Sequence, residues 1–124
     1  MRHRLIGRKL NRRPDKRRRL IRSLMGALLR HDRITTTEAR GKELRRHVER
    51  LITTARRGDL HSRRLALATL PDPPAVDRLF HVVAPRYKTR PGGYTRLTRV
   101  GMRLGDGATL VQIELLDREV EAAS

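Results

Sequence analysis

The apolar positions between residues 14 and 31 recur every three or four residues, which is the spacing of an amphipathic helix. Pro14 suits the first turn of a helix, and Asp15 suits the positive end of the helix dipole. The apolar face carries two adjacent rows, Leu20, Leu24 and Leu28 beside Ile21, Met25 and Leu29. The opposite face carries the cations Lys16, Arg18, Arg19 and Arg22.

A strand and a second helix are predicted next along the chain. Arg33–Thr37 is short and rich in β-branched residues, which favours a strand. The following helix begins either at a capping box of Thr35 and Glu38 or with Thr37 as its N-cap, and it runs to about Arg57. For these threonines, strand formation and capping are favoured over contacts with an RNA backbone.

The second helix has one apolar stripe, interrupted near its start. Gly41 lies inside the helix and is expected to weaken it by about 1 kcal/mol relative to alanine. Gly58 is placed to end it. The predicted core positions of this helix are Leu44, Val48, Leu51, Ile52 and Ala55.

The remainder of the chain predicts two shorter helices and a β-hairpin. Asp59 is expected to cap the first of these helices, and Pro85 to stop the second. Alternating apolar positions after residue 93 indicate strands, and glycines at 101, 105 and 107 suit the hairpin loop. The predicted elements are helices at Leu60–Ala68 and Ala75–Ala84, a loop at Pro85–Gly93, and strands at Tyr94–Val100 and Thr109–Leu116.

The element order α-β-α-α-α-β-β predicts an α+β fold, in which helices cover a small mixed sheet. Val111, Ile113 and Leu115 are expected on the face of the last strand that meets the helices. We expect three regions: a basic, extended N-terminal arm at residues 1–14, a single globular domain at 15–117, and a short acidic tail at 118–124.

Positive charge is concentrated at the amino end. The 124-residue chain carries a net charge of +17, divided as +11 on residues 1–30, +9 on residues 31–100 and −3 on residues 101–124. The arm has too few apolar side chains for a core, and its like charges repel one another. Such charge gives affinity for nucleic acid, since each neutralised phosphate releases counterions. A solvated charge run is the alternative interpretation.

A second basic segment extends from residue 85 to residue 96 and holds two of the three aromatic residues of the chain. Tyrosine can stack on an unpaired base, and adjacent glycines let backbone N–H groups approach phosphate closely. For Tyr94, packing in the core is an equal alternative, and Gly92 and Gly93 can equally form only a turn. For Arg86 and Arg90, phosphate contact is the favoured role.

Arginine accounts for 26 of the 30 cations, and its planar fork suits phosphate and base stacking. About half of the arginines on the later helices, Arg45, Arg46, Arg56, Arg57, Arg63 and Arg64, are expected to contact RNA, and the others to be solvated or paired with Glu43 and Glu49. The predicted RNA-binding residues are Arg2, His3, Arg4, Arg8, Lys9, Asn11, Arg12, Arg13, Lys16, Arg18, Arg19, Arg22, Arg86, Lys88, Arg90, Gly92, Gly93, Tyr94 and Arg96.

Other classes of function find little support in the sequence. The absence of cysteine excludes disulfides and thiolate chemistry, and the apolar runs are too short for a membrane span or secretory signal. The basic opening also suits a transit peptide, but it lacks serine enrichment. The histidines lack metal-site spacing, and Asp59 beside His61 is better explained as a helix cap than as an acid–base pair. No metal or cofactor is therefore expected.

Short motifs along residues 1–117 resemble, in order and spacing, the bacterial large-subunit ribosomal protein L17 family. The chain departs from the family pattern at Pro14-Asp15 and again at Glu38, Ala39 and Gly41. The motifs that carry the resemblance are Met1-Arg2-His3-Arg4, Gly7-Arg8-Lys9-Leu10-Asn11-Arg12, Arg33–Thr37, Lys42–Arg45, Leu51-Ile52, Arg63–Ala66, Pro85-Arg86-Tyr87, Gly92–Arg96, Gly105–Ala108 and Ile113–Leu115.

The resemblance implies a structural protein of the large ribosomal subunit, without enzymatic activity or cofactor. It implies binding to large-subunit ribosomal RNA near the exit of the peptide tunnel, contacts with neighbouring large-subunit proteins there, and a cytoplasmic, bacterial location. It also implies an α+β fold.

Two rivals remain, although neither has a supporting motif. A nucleoid-type DNA-binding protein would bind duplex DNA tightly without associating with ribosomes. A small RNA-processing enzyme would use His61 or His81 with a nearby aspartate.

Overall fold

Helices cover one face of a small sheet in the computed structural model, which describes residues 14–116. Most of the predicted arm and the acidic tail lie outside this range. A π-helical turn at Leu79–Val83 joins the fourth and fifth helices. The elements are α1 (Pro14–His31), β1 (Arg33–Thr37), α2 (Glu38–Ala55), α3 (Leu60–Thr69), α4 (Pro73–Arg78), α5 (Ala84–Arg86), β2 (Thr95–Met102) and β3 (Thr109–Leu115).

The three strands lie in the order β1-β3-β2, and both pairs are antiparallel. The predicted α+β class and element order are confirmed, but the expectation of a mixed sheet was wrong on strand direction. The short connection from β2 to β3 permits only an antiparallel hairpin. Strand β1 then pairs with the other edge of β3, again running against it.

The core lies between the sheet and the apolar faces of α1 and α2. Every predicted core residue of α2 is buried, and so are Val111, Ile113 and Leu115 of β3. On α1, Leu20 and Leu24 are only half-buried. Its other predicted core residues, Ile21, Met25, Leu28 and Leu29, are fully covered.

Asp32 holds the end of α1 against the later helices. Its backbone lies in the left-handed region, with φ of 69°, and its buried carboxylate receives two guanidinium groups. Arg86 donates to both carboxylate oxygens at 2.9 and 3.2 Å, and Arg78 donates to one of them at 3.2 Å. Arg78 also donates to the carbonyl of Leu29 at 2.6 Å, so it satisfies a carbonyl at the end of the helix.

The structure corrects or decides three local predictions. Pro85 does not stop the helix, because the preceding π-helical turn brings it into the first turn of α5, where its missing N–H is tolerated. Of the two starts considered for α2, Thr37 and not Thr35 is the N-cap residue, and it makes no side-chain capping bond. Gly101 lies within β2 beside a register irregularity rather than in the hairpin loop, and its φ of 146° suits glycine.

Gly41 is buried where α2 crosses the sheet. A Cβ atom at this position would lie 2.7 Å from Cγ2 of Val111 and 3.2 Å from Cδ2 of Leu97. Valine has little rotameric freedom with which to move away. The glycine that the helix pattern marks as a weak point therefore permits close packing between helix and sheet.

We predict that Gly41→Ala lowers the free energy of unfolding by about 1–3 kcal/mol, because overpacking outweighs the better helix propensity of alanine. Urea denaturation measures the change. In a Val111→Ala background, which removes the nearest methyl groups, the same substitution should cost much less. A stabilising effect of Gly41→Ala in the wild-type background would contradict this account.

Candidate nucleic-acid interface

A cleft of about 520 Å³ separates the first half of α1 from the middle of α2. Its floor is apolar, formed by Ile21 and Met25, and Thr69 at the end of α3 lies along its edge. Its remaining lining is charged or titratable: Arg17, Arg18, Arg22, Glu43, Arg46, His47 and Arg50. We call this feature the α1/α2 cleft.

The helical period aligns arginines on one face of α1 and on one face of α2, and these two faces meet at the α1/α2 cleft. Arg18 and Arg22 are four residues apart on α1, and Arg46 and Arg50 are four apart on α2, so each pair shares one helix face. Nε of Arg22 donates to the carbonyl of Thr69 at 3.2 Å, which fixes its side chain across the cleft. Five guanidinium groups therefore line one concave surface.

The single carboxylate of the α1/α2 cleft is engaged by its own helix. Glu43 is buried, with His47 at 3.1 Å and Arg46 at 3.7 Å. Within residues 14–116, Arg18 and Arg50 make no ion pair, and both are exposed. The cleft thus combines surplus positive charge with a shape that can receive an anion.

Most acidic groups elsewhere in the described region are bound by other groups of the protein. Asp32 pairs with two arginines, Glu38 with Arg99 and Lys42, and Glu114 with Arg96. Asp59 accepts from the N–H of Ser62 at 2.8 Å as the predicted cap of α3. Further ion pairs join Asp72 to Arg30 and Asp77 to Arg63.

The predicted RNA-binding residues fall into three groups. Residues 2–13 lie outside the described range. The α1 cations Lys16, Arg18 and Arg19 are exposed on the helix surface, as predicted, and Arg22 is half-buried. The third group, in the 86–96 segment, is largely engaged within the protein.

Within that segment, Arg86 is the residue most fully engaged by the rest of the protein. Only 7% of its side chain is exposed, and its guanidinium is bound to Asp32. Burial opposes the charged form, but the hydrogen bonds and charge of Asp32 outweigh it and raise the pKa of Arg86. The fork of Arg86 is therefore already occupied within the fold, which disfavours the phosphate contact expected of this residue.

Of the two glycine N–H groups expected to approach phosphate, that of Gly93 binds Glu49 instead, together with the next two N–H groups of the chain. Gly93 donates to one carboxylate oxygen at 3.1 Å. Tyr94 and Thr95 donate their N–H groups to the other oxygen at 2.9 and 3.0 Å, and the Thr95 hydroxyl donates to it at 2.8 Å. The turn does hold an anion, as glycine-containing turns can, but the anion comes from α2.

Tyr94 packs in the core, which is one of the two roles considered for it, the other being stacking on a base. Its ring is fully buried, 4.9 Å from the ring of Tyr87. Its hydroxyl is hydrogen-bonded to that of Thr53 at 3.1 Å and accepts from Arg56 at 3.1 Å. A base cannot stack on this ring in the folded structure.

The other residues of the segment remain nearer the surface. Arg90 is half-buried, donates to the carbonyl of Gly93 and lies 5.8 Å from the ring centroid of Tyr87. Lys88 is exposed, Gly92 is half-buried and makes no close approach to other elements, and Arg96 pairs with Glu114.

Two members of the α1/α2 cleft, Arg17 and Arg50, were absent from the candidate residues. Their signal was available, because Arg50 follows Arg46 by one helical turn on α2 and Arg17 adjoins the predicted cationic face of α1. Which faces of the two helices oppose each other could not be read from their periodicity.

No helix among residues 14–116 combines the length and apolar character needed to cross a membrane. The described part of the chain also contains no group of three or more His, Asp or Glu residues able to hold a metal ion. His61 is exposed, and its neighbour Asp59 serves as a helix cap.

We predict that Glu49→Ala lowers the free energy of unfolding by about 2–3 kcal/mol, because it leaves several donors of the turn without their acceptor. Glu49→Gln, which retains one acceptor oxygen, should lose less. The matched control is Glu114→Ala, which breaks an ion pair with an exposed arginine and should cost below about 1 kcal/mol. Equal losses at Glu49 and Glu114, measured by urea unfolding, would refute the assigned role of Glu49.

Comparison with known proteins agrees with this reading of the sequence. The family described as Ribosomal protein L17 matches residues 20–116. "Large ribosomal subunit protein bL17" of Syntrophotalea carbinolica is 50% identical over 119 residues, which cover 96% of this chain and 77% of that protein. The protein of the same name from Caldanaerobacter subterraneus subsp. tengcongensis is 55% identical over 109 residues, covering 88% and 97% of the two chains. The chain belongs to the ribosomal protein L17 family.

Proposed function

We propose that this chain is a structural component of the large ribosomal subunit and binds large-subunit ribosomal RNA through the basic arm and the α1/α2 cleft. The observation that carries the proposal is the convergence of five arginines on that cleft. The relatives are named as large-subunit proteins, which supports the large subunit as the assembly in which this chain binds RNA. The proposed role is one of binding and requires no catalytic group.

Charge supports phosphate as the ligand. Residues 14–116 contain 23 Lys and Arg against ten Asp and Glu, a net charge of +13. The acids after Asp15 are held in ion pairs, helix caps or the Glu49 turn, and Glu43 is the one among them that lines the α1/α2 cleft, against five arginines. Phosphate groups supply the missing negative charge, and arginine forks match their geometry.

The proposed arm precedes the α1/α2 cleft in the sequence. It comes directly before α1, and Arg17, the first arginine of the cleft, follows Pro14 by three residues. The arm would pass between RNA helices and order on binding, as charged segments with little apolar content do. The cleft would receive phosphates of the adjoining RNA surface.

The proposed location is at the exit of the peptide tunnel, in a cytoplasmic ribosome and among other large-subunit proteins. Family membership supports this placement. The rival DNA-binding role makes a different prediction, since duplex DNA would then compete as well as ribosomal RNA for the protein.

We predict that Arg18→Ala with Arg50→Ala weakens binding to large-subunit ribosomal RNA about tenfold or more at moderate salt and lowers the salt-dependence slope by about 0.7–0.9 for each lost phosphate contact. Filter binding across a salt series measures both quantities, and duplex DNA serves as the competitor.

The matched control is Arg63→Ala with Arg99→Ala. It removes the same charge, but these arginines are paired with Asp77 and Glu38. The control should change affinity much less. Equal losses for the two double variants would mean that net charge alone, and not the α1/α2 cleft, determines binding.

The arm has its own test. Replacing Arg8, Lys9 and Arg12 with alanine should weaken RNA binding and flatten its salt dependence, by up to about 0.7–0.9 per lost contact. Calorimetric titration with the same RNA measures the affinity. If affinity were unchanged, the arm's assigned role would be wrong even if the α1/α2 cleft variants lost binding.

A further inference from the structure

The end of the β2–β3 hairpin presents apolar side chains to solvent. Residues 98–102 are exposed on both faces of β2, so this half of the strand extends beyond the covering helices. Val100 is 51% exposed, Met102 is 69% exposed and Leu104 is 98% exposed. We call residues 100–110 the hairpin tip.

The hairpin tip is ordered by its own hydrogen bonds. The N–H of Arg103 donates to the carbonyl of Ala108 at 2.8 Å, and the N–H of Gly107 donates to the carbonyl of Arg103 at 3.0 Å. Asp106 binds the Arg103 guanidinium and accepts from the N–H of Ala108. The arginine and then the backbone N–H lower the pKa of Asp106 to about 2.

Charge distinguishes the hairpin tip from the rest of the protein. Its only charged residues are Arg103 and Asp106, which neutralise each other. The preceding arginine, Arg99, is paired with Glu38. A neutral, apolar tip on a chain of net charge +17 is a poor ligand for phosphate and a good one for an apolar protein surface.

We propose that the hairpin tip inserts Met102 and Leu104 into an apolar depression on a neighbouring protein of the large ribosomal subunit. This inference rests on the proposed function, which supplies the assembly. The two side chains have the anchor character of interface residues, and Met102 adapts its shape readily. Internal bonds hold the tip before docking, so little conformational entropy is lost on contact.

The arrangement assigns different partners to two surfaces. The α1/α2 cleft carries surplus positive charge and takes RNA, whereas the hairpin tip carries none and takes protein. Strand β2 lies at an edge of the sheet, so its outer half is accessible to a neighbour.

A photo-crosslinking experiment tests the proposal. A diazirine amino acid replaces Leu104 in the full chain, and large subunits containing the variant are purified and irradiated. The matched control carries the same group at Leu60, another exposed leucine, located at the start of α3. Mass spectrometry identifies the crosslinked partner.

The expected result is a crosslink from position 104 to one large-subunit protein, at least about tenfold above that from position 60 to the same protein. A crosslink to RNA, to a second copy of this chain, or to nothing overturns the inference while leaving RNA binding intact. Absence of the wild-type chain from purified large subunits overturns the proposed function and this inference together.

A second variant separates docking from folding. Met102→Ser with Leu104→Ser should leave the melting temperature and the affinity for isolated ribosomal RNA unchanged. It should speed release from washed large subunits about tenfold, in line with the loss of interface anchors, whereas Leu60→Ser should not. Unchanged release of the double variant contradicts the proposal.

Discussion

The buried carboxylate of Asp32 connects the two halves of the chain. It lies at the end of α1 and receives Arg78 and Arg86, which follow it by 46 and 54 residues. Its backbone carbonyl accepts from the N–H of Leu115 at 2.8 Å, so the last strand meets the same residue. Removing one partner of such a buried group typically costs about 3–5 kcal/mol, because the remaining charge is left uncompensated. The position of α1, and with it the cationic face, depends on this contact.

A second carboxylate, Glu49, organises the segment that leads into the hairpin in a similar way. Together these groups place negative charge inside the fold, where backbone and guanidinium donors bind it. Surplus cations remain at the surface, and the arginines of the α1/α2 cleft are among them. This distribution of charge follows from elementary electrostatics. Buried charges need partners, whereas exposed charges are solvated and can bind a ligand.

Local patterns predicted the elements of this fold well. Apolar spacing predicted α1 with the bounds that the structure has, and the Asp59 cap and the buried face of β3 are confirmed. What composition could not indicate was the pairing of distant residues. Arg86 and Gly93 looked like phosphate ligands because nothing in the local sequence reveals that Asp32 and Glu49 reach them. The sequence likewise predicted only some of the residues that line the α1/α2 cleft, because the cleft forms only when two helix faces meet.

Electron cryo-microscopy of large ribosomal subunits containing this chain tests the central claim most directly. The measured quantity is the distance from the guanidinium groups of Arg18, Arg22 and Arg50 to the nearest RNA phosphate oxygens. The account predicts phosphates at hydrogen-bonding distance, about 2.7–3.2 Å, within the α1/α2 cleft. An α1/α2 cleft that faces solvent in the intact subunit, or that is filled by a protein side chain, would contradict it.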